Sequence, residues 1–263
     1  MPEIKKPVAG TFCWVELNTT DTSAAKKFYT ALFEWSVKEM PLPDGSTYAM
    51  LQHGGKNVAG LTTLKADAQK MGAPPNWLSY VAVDDTDATA AKATKLGGRV
   101  LAGPFDVMEA GRMAVVADPT GGVLALWKAG RSEDPFLYGE PGALCWNELL
   151  TADTKGAEKF YTSLIGWQCS EMSMGPGTYH VLKVGETMAG GLMEMPKDMK
   201  GAPPAWVPYF SVGDADATVA KAQKLGGKAL VPPTDIPNIG RFAWLQDPQG
   251  AVVAILKAIP PAK

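Results

Sequence analysis

The sequence has little of what many common function classes need. Neither sign of charge is concentrated, since 25 basic and 27 acidic residues give a net charge of −2 without a run of either sign. A basic surface is what draws proteins to nucleic acids and anionic membranes, so neither partner is expected. No apolar stretch approaches the roughly 20 residues that cross a bilayer. The first residues carry no apolar signal-peptide core, and a cytoplasmic protein is therefore expected.

Reactive and metal-ligating side chains are scarce as well. The chain has three cysteines and two histidines. Zinc-protease, paired-cysteine, phosphate-loop and nucleophile-elbow motifs are absent from the sequence, which argues against protease, nucleotide-binding and hydrolase functions. Cys13 and Cys145 match each other in two related halves and are expected to be small buried hydrophobes, with a reactive thiol as the alternative. His53 and His180 do not match each other and are expected at the surface or on an edge strand.

The most informative feature of the sequence is a duplication. Residues 12–35 and 144–167 are identical at 14 of 24 positions. A repeat of about 130 residues is too long for a solenoid unit, so each copy is expected to be a domain with its own core. The domains are predicted at 10–128 and 142–257, and the stretch 129–141, which is polar and rich in glycine and proline, is predicted to be their linker.

Each copy contains the pattern of two similar modules. In the first, an alternating strand precedes a helix that Asp21 would cap, with Ala25, Phe28 and Leu32 on one face, and short strands follow. The second begins with the strand W-L-S-Y-V-A-V, continues with an alanine-rich helix that ends at Gly97 and closes with further strands. The predicted fold class is α+β, with four βαβββ modules.

Several short motifs recur in the same order in both copies. They are the aspartate before the first helix, F-Y-x-x-L near its end, G-R at the start of a late strand and D-P-x-G before the last strand. This order resembles the vicinal oxygen chelate superfamily, which includes glyoxalase I, bleomycin- and fosfomycin-resistance proteins and extradiol dioxygenases. The tandem form, with C-W-x-E-L and A-D-A-T-x-A-K-A, is similar to paired-domain actinobacterial and mycobacterial glyoxalase-like proteins. The resemblance implies two cupped, eight-stranded, barrel-like domains.

In that family, four strand positions of each cup hold a divalent metal, usually through histidine or glutamine, glutamate, histidine and glutamate. Carried over onto this sequence, the positions are Trp14, Gly60, Leu78 and Ala125 in the first copy, and Trp146, Gly191, Val207 and Ala254 in the second. Their side chains cannot bind a metal, so no metal and no other cofactor is predicted there. A divalent metal is expected only at a relocated site, with Glu16, Glu148, His180 and Glu194 as candidate ligands.

Strand alternation predicts which side chains line the cups instead. The candidate catalytic groups are Glu16 and Tyr80 in the first cup and Glu148 and Tyr209 in the second. The expected binding walls are Trp14, Leu78, Val123, Ala125 and Trp127 in the first cup, and Trp146, Val207, Val252, Ala254 and Leu256 in the second. Apolar surroundings raise the pKa of a carboxyl, so each glutamate is a candidate general base, which the tyrosine would hold or assist as an oxyanion donor.

Two simpler interpretations of these residues stay open. The tryptophans Trp14 and Trp146 would only fill the space of a lost metal, because large aromatic side chains dominate core burial. The two glutamates would only neutralise Arg112 and Arg241.

Three functions are compatible with this pattern. The first is a binding protein in which one or both cups hold a small hydrophobic or aromatic molecule. The second is a glyoxalase-like lyase, isomerase or dioxygenase that uses Glu16 or Glu148 as a base or metal ligand. The third is a scaffold for protein interactions. Because Val115 stands where the second copy has Trp244, the cups are not expected to bind one ligand equally well. The chain is expected to be a monomer with pseudo-symmetric domains or a homodimer.

Overall fold

The computed structural model describes residues 3–4, 7–42, 45–70, 72–130, 135–174, 177–196, 199 and 201–259. Over these residues the protein is α+β and consists of four βαβββ modules, so the predicted fold class is confirmed. The modules form two mixed sheets that are open and cupped. None of the described helices is long and apolar enough to span a membrane.

The first sheet comes mainly from the first half of the chain. Its elements are β1 (Glu3–Ile4), β2 (Phe12–Thr19), α1 (Thr22–Phe33), β3 (Ser36–Pro41), β4 (Thr47–His53), β5 (Lys56–Thr63), α2 (Ala66–Lys70), β6 (Asn76–Ala82), α3 (Thr86–Lys95), β7 (Arg99–Val107), β8 (Gly111–Ala117), β9 (Val123–Ala129) and β10 (Phe136–Leu137). Eight strands follow the order β3-β4-β5-β2-β6-β9-β8-β7, and β10 joins β5 and β1 at one side.

The second sheet repeats this arrangement. Its elements are β11 (Leu144–Thr151), α4 (Thr154–Ile165), β12 (Gln168–Met174), β13 (Gly177–Val184), β14 (Thr187–Glu194), β15 (Ala205–Ser211), α5 (Ala215–Lys224), β16 (Lys228–Ile236), β17 (Gly240–Gln246) and β18 (Val252–Ala258). The strand order is β12-β13-β14-β11-β15-β18-β17-β16.

The helices begin where the sequence pattern predicts. The side chains of Asp21 and Asp153 accept hydrogen bonds from backbone N–H groups at the start of α1 and α4. This satisfies an N–H that the first turn of a helix leaves unpaired. The predicted apolar face of α1, formed by Ala25, Phe28 and Leu32, is buried.

The expectation that each half has its own core is wrong for the two largest apolar clusters. One cluster combines Phe28 and Trp35 of the first half with Phe210 of the second. The other combines Leu124 of the first half with Phe160 of the second. The reason is geometrical, because a cupped sheet also has a convex face to cover, and the convex faces and helices of the two halves meet each other.

Buried polar contacts also cross between the halves in pseudo-symmetric pairs. The indole N–H of Trp35 donates to the carbonyl of Gly142 (2.7 Å), and that of Trp167 donates to the carbonyl of Gly10 (2.6 Å). The Tyr29 hydroxyl donates to Asp247 (3.0 Å) in the D-P-x-G turn of the other half. Because buried polar groups are costly to leave unpaired, these contacts fix the relative position of the halves.

The stretch predicted as a linker has a structural role that its composition does not indicate. Phe136 and Leu137 form β10, which is parallel to β5 and antiparallel to β1. Both side chains are buried in the first of the shared clusters. Two apolar residues between turns are too few to give a periodic signal, so the sequence alone does not reveal this strand.

Candidate functional site

The concave face of each sheet is built around its four central strands. In the first sheet, β2 and β6 are antiparallel, so that Trp14 lies opposite Tyr80 and Glu16 lies opposite Leu78. The parallel strand β9 places Ala125 beside Tyr80, and β5 places Gly60 beside Glu16. The second sheet repeats these neighbours with Trp146, Tyr209, Glu148, Val207, Ala254 and Gly191.

The structure brings the predicted wall residues of each cup together, except that Val252 is not part of the second cluster. The apolar cluster of the first cup contains Trp14, Leu78, Tyr80, Val123, Ala125 and Trp127, with Cys13 and Met113 among its further members. The second contains Trp146, Val207, Tyr209, Ala254 and Leu256, together with Trp244, Phe242 and several methionines. Unlike the two large clusters, each of these belongs to one half of the chain.

In the second cup, Glu148 is held by two tyrosines that are backed by two tryptophans. Tyr209 donates its hydroxyl to Oε1 of Glu148 (2.7 Å), and the indole N–H of Trp244 donates to the Tyr209 oxygen (2.9 Å). On the other side, Trp146 donates to the hydroxyl of Tyr179 (2.8 Å), which hydrogen-bonds Glu148 in turn. The donors therefore converge on the carboxylate, which is 5% exposed.

The first cup has the same centre, a glutamate between two tyrosines, but only one of the tyrosines accepts a hydrogen bond from a described tryptophan. Glu16 accepts hydrogen bonds from Tyr48 and Tyr80, and Trp14 donates to the Tyr48 hydroxyl (3.1 Å). Val115 stands where the second copy has Trp244, and no described indole donates to Tyr80. The positive charge of Lys65, whose ammonium lies over the Phe105 ring, lowers the pKa of Glu16.

Tyr48 and Tyr179 are site residues that the sequence argument did not assign. A Cβ atom at Gly60 would overlap the Tyr48 hydroxyl, and one at Gly191 would overlap the Tyr179 hydroxyl. Glycine therefore makes room for the phenol where the family usually has a glutamate. The signal was available, because in both copies a tyrosine on the preceding strand accompanies a glycine at the emptied position.

Burial governs the acid–base properties of these groups. It raises the pKa of Glu148, and the hydrogen bonds from Tyr209 and Tyr179 lower it by less. The pKa of Glu16 is raised for the same reason, against the opposing effects of Tyr48, Tyr80 and Lys65. Burial and the neighbouring carboxylate raise the pKa of the tyrosines well above its ordinary value, so the phenols stay protonated and donate. Each centre is thus a strong hydrogen-bond acceptor.

We expect Glu148→Gln to gain stability relative to the natural protein as pH rises. The folded-state pKa of Glu148 lies above its unfolded value, so its contribution is favourable below the unfolded pKa and is lost as pH rises through the folded one. Glutamine does not ionise and avoids this loss. Melting temperatures of both proteins between about pH 4 and pH 8 measure the effect.

Asp216→Asn is the matched control of opposite sign. The hydrogen bond with Arg241 lowers the pKa of Asp216 in the folded protein. The contribution of Asp216 to stability is therefore present above the unfolded pKa and is lost as pH falls. The asparagine variant should lose stability relative to the natural protein as pH rises. A pH-independent difference for Glu148→Gln would contradict the burial of an ionisable carboxyl.

The interpretation that the glutamates neutralise the G-R arginines is wrong. Arg112 donates to Asp87 of α3 (2.6 and 2.8 Å) and to Asp106 of β7 (3.0 Å). Arg241 makes the same contacts with Asp216 and Asp235. Each arginine ties its strand to the helix of the same module and to the preceding strand, and the glutamates face the cups with phenols as partners.

The structure corrects the expected position of His180. His180 is 6% exposed, and its strand β13 lies between β12 and β14, so it is neither an exposed residue nor on an edge strand. Tyr179 faces the cup, so its neighbour His180 faces the other side of the sheet, towards α4. Glu148 cannot share a metal with it there. Glu194 lies on the same side as His180 and lines the same groove.

The donor set of the cups does not fit the metal that the family usually holds. Among the described residues at the four carried-over positions, none offers a carboxylate or an imidazole. What remains in each cup is one carboxylate with protonated phenols around it. A divalent metal that keeps open positions for a substrate needs about three protein ligands, and each cup offers one carboxylate.

Comparison with known proteins agrees with this architecture. The sequence profile of the Glyoxalase/Bleomycin resistance protein/Dioxygenase superfamily matches residues 11–126 and 145–255. Among solved structures, the Mn(II)-bound glyoxalase from Novosphingobium aromaticivorans is similar, with a TM-score of 0.65 and 15% identity, over 95% of this chain and 82% of that one. The 2,2',3-trihydroxybiphenyl 1,2-dioxygenase of Sphingomonas wittichii strain RW1 has a TM-score of 0.64 at 15% identity, over 96% and 92% of the chains.

Two relatives are similar along nearly their whole length. "Putative glyoxylase CFP32" of Mycobacterium tuberculosis (strain CDC 1551 / Oshkosh) is 46% identical over 262 residues, which cover 99% of both chains. Anthracycline biosynthesis protein DnrV of Streptomyces peucetius is 35% identical over 259 residues, covering 94% of this chain and 93% of that one. With its duplicated modules, its cupped sheets and these matches, the chain belongs to the glyoxalase/bleomycin resistance protein/dioxygenase superfamily.

Proposed function

We propose that the cups bind a small aromatic molecule that donates a hydroxyl group to the central glutamate. The observation that carries the proposal is the paired centre of Glu16 and Glu148, each an acceptor carboxyl held by two phenols on an apolar floor. A site of this kind suits a ligand with a flat apolar body and one or two polar groups that fix its orientation. The hydroxyl would use the carboxylate lone pairs that the tyrosines leave free.

The first cup is the better candidate of the two. Glu16 is half-buried, so a ligand can reach it, whereas Glu148 is buried. Trp244 and the methionines Met195 and Met199 pack in the second cup and narrow it. In the first cup, the positive charge of Lys65 acts on Glu16 and would favour a ligand with a second, electron-rich polar group.

The names of two relatives favour an aromatic ligand. DnrV and DauV are named as anthracycline biosynthesis proteins, and each is 35% identical to this chain. Anthracyclines are hydroxylated polycyclic aromatic compounds. The chemistry of these names agrees with an aromatic floor and a carboxylate acceptor, and the proposal takes from them the ligand class alone.

We expect 2-naphthol to quench the tryptophan fluorescence of the natural protein at lower concentration than naphthalene, which lacks the hydroxyl. In Glu16→Gln, the affinity for 2-naphthol should fall by about 10- to 100-fold, because a hydrogen bond to a charged group contributes about 1.5–3 kcal/mol. The affinity for naphthalene should change little. Fluorescence titration of both compounds on each variant measures the difference.

Glu109→Gln is the matched control, because Glu109 is an exposed glutamate in the turn between β7 and β8 and is not a member of the apolar cluster of the first cup. It should bind both compounds as the natural protein does. If Glu16→Gln and Glu148→Gln each left the affinity for 2-naphthol unchanged, the glutamates would not recognise a hydroxyl and the proposal would fail.

A second function is favoured by the raised pKa of the same carboxyls. A carboxylate with a raised pKa is a stronger base, and it could take a proton from carbon next to a carbonyl group. The name of the mycobacterial relative points to such an enzyme. Exchange of the α-protons of 2-tetralone for deuterium, followed by NMR, separates the two functions. Exchange that is catalysed by the natural protein and lost in Glu16→Gln would favour the enzyme over the binding protein.

A further inference from the structure

A cluster of three metal-ligating side chains lies outside both cups. Glu158 comes from α4, Cys169 from β12 and His180 from β13, on the side of the second sheet that faces the helix. Nδ1 of His180 is 3.3 Å from Oε2 of Glu158 and 3.7 Å from Sγ of Cys169. All three ligand atoms lie within 4.8 Å of one another.

The arrangement does not match a nucleophile with its base. In a catalytic relay the thiol and the acid contact opposite nitrogens of the imidazole, so that a proton can pass through the ring. Here the carboxylate and the thiol both approach Nδ1. Burial and the negative charge of Glu158 raise the pKa of Cys169 to about 11, so the thiol is not activated as a nucleophile.

The distances fit the edges of a tetrahedron around zinc. Zinc bonds to sulfur at about 2.3 Å and to nitrogen or oxygen at about 2.0–2.2 Å, which gives ligand–ligand edges of roughly 3.3–3.6 Å. The observed 3.3 Å and 3.7 Å edges agree with these values. Cysteine, histidine and carboxylate are also the three kinds of side chain that zinc takes as ligands.

The surroundings supply negative charge and a possible fourth ligand. Glu158 and His180 line a groove of about 680 Å³ together with Glu171 and Glu194. Glu171 lies directly opposite His180 in the β12–β13 pairing, so the two side chains share a face. Three carboxylates thus surround the groove against two lysines, Lys155 and Lys159, which favours a cation.

At the equivalent position of the first half, a lysine side chain supplies the positive charge. The repeat aligns Glu158 with Lys26, and Glu171 with Glu39. Lys26 and Glu39 form an ion pair there. In the second half the lysine is replaced by Glu158, so the position holds two acids, and the histidine and cysteine are added beside them.

We propose that Glu158, Cys169 and His180 bind a zinc ion, with water or Glu171 as the fourth ligand. The ion takes the place that the Lys26 ammonium has in the first half and pins α4 to β12 and β13. On binding, the thiol loses its proton to solvent and the histidine binds as a neutral imidazole. This site is separate from the cups, and it does not depend on the function proposed for them.

The test uses the full chain without a histidine tag. Zinc binding is measured by competition with a chromophoric chelator, and Co²⁺ is used as a spectroscopic probe of the ligands. We expect one zinc ion per chain and a sulfur-to-cobalt charge-transfer band in the near ultraviolet. Cys169→Ser should remove the band, and His180→Ala should weaken zinc binding by at least about tenfold.

Glu158→Lys is the sharpest variant, because it restores the ion pair of the first half with Glu171. It should fold and melt like the natural protein yet bind no zinc. His53→Ala, which removes the other histidine of the chain, should bind zinc normally. A missing charge-transfer band in the natural protein, or zinc binding that is unchanged in both Glu158→Lys and His180→Ala, would overturn the proposal.

Discussion

Neither half of the chain is expected to fold as a monomer when the two are produced separately. The cut falls within residues 131–134, between β9 and β10. Each of the two large apolar clusters takes side chains from both halves, so a separated half exposes Phe28 and Trp35, or Phe160 and Trp206, to water. Exposing apolar surface on this scale removes the main force that stabilises a fold. Each half alone should therefore aggregate or pair with a second copy of itself.

Mixing the two halves should restore a 1:1 complex with the circular dichroism spectrum of the intact chain. Size-exclusion chromatography with light scattering measures the mass of each species. A separated half that is monomeric and unfolds cooperatively would contradict the shared cores.

Phe210→Ala is expected to cost about 3–5 kcal/mol of unfolding free energy. Phe210 lies on a strand of the second half and is fully buried. The centroid of its ring is 5.1–5.3 Å from the ring centroids of Phe33, Trp35 and Trp77 of the first half. Truncation leaves a cavity between three aromatic rings that rigid neighbours cannot fill. The melting temperature should fall by roughly 6–20 °C, as the free-energy loss converts for a protein of this size.

Leu101→Ala is the control for this substitution, because Leu101 is 45% exposed and its truncation removes little buried area. It should change the unfolding free energy by less than about 0.5 kcal/mol. Thermal and urea unfolding of both variants give the comparison. If the Phe210 variant melted together with the Leu101 variant, the aromatic contacts between the halves would not hold the fold together.

The fold was largely predictable because its signals are local and occur twice. Alternation, helix caps such as Asp21 and Asp153, and the repeated motifs predict the modules and their order. The packing of the halves was not predictable in this way. Apolar residues such as Phe210 show that a face is buried, but they do not show which element covers it. The expectation that each half has its own core placed Phe210 against its own half, whereas it packs against the first half.

The cup residues show where sequence reasoning about the site stops. Strand parity predicts that Trp14, Glu16 and Tyr80 share a face, because it depends only on the alternation of side chains. It cannot predict Tyr48, which reaches the glutamate from another strand over Gly60. A relocated metal site would have needed His180 beside Glu148, but His180 follows the cup residue Tyr179 directly and therefore faces the opposite side of the sheet.

The shared cores also bear on how a protein of this kind can diversify. A single copy of the repeat could bury its convex face only by association with a second chain, and both chains would then carry every substitution. Joining the copies by the short connection through β10 makes that association intramolecular, so that it no longer depends on protein concentration. Each copy is then free to change alone. The histidine and cysteine beside Glu158 in one half and the more open carboxylate of the other are differences that two identical chains could not acquire separately.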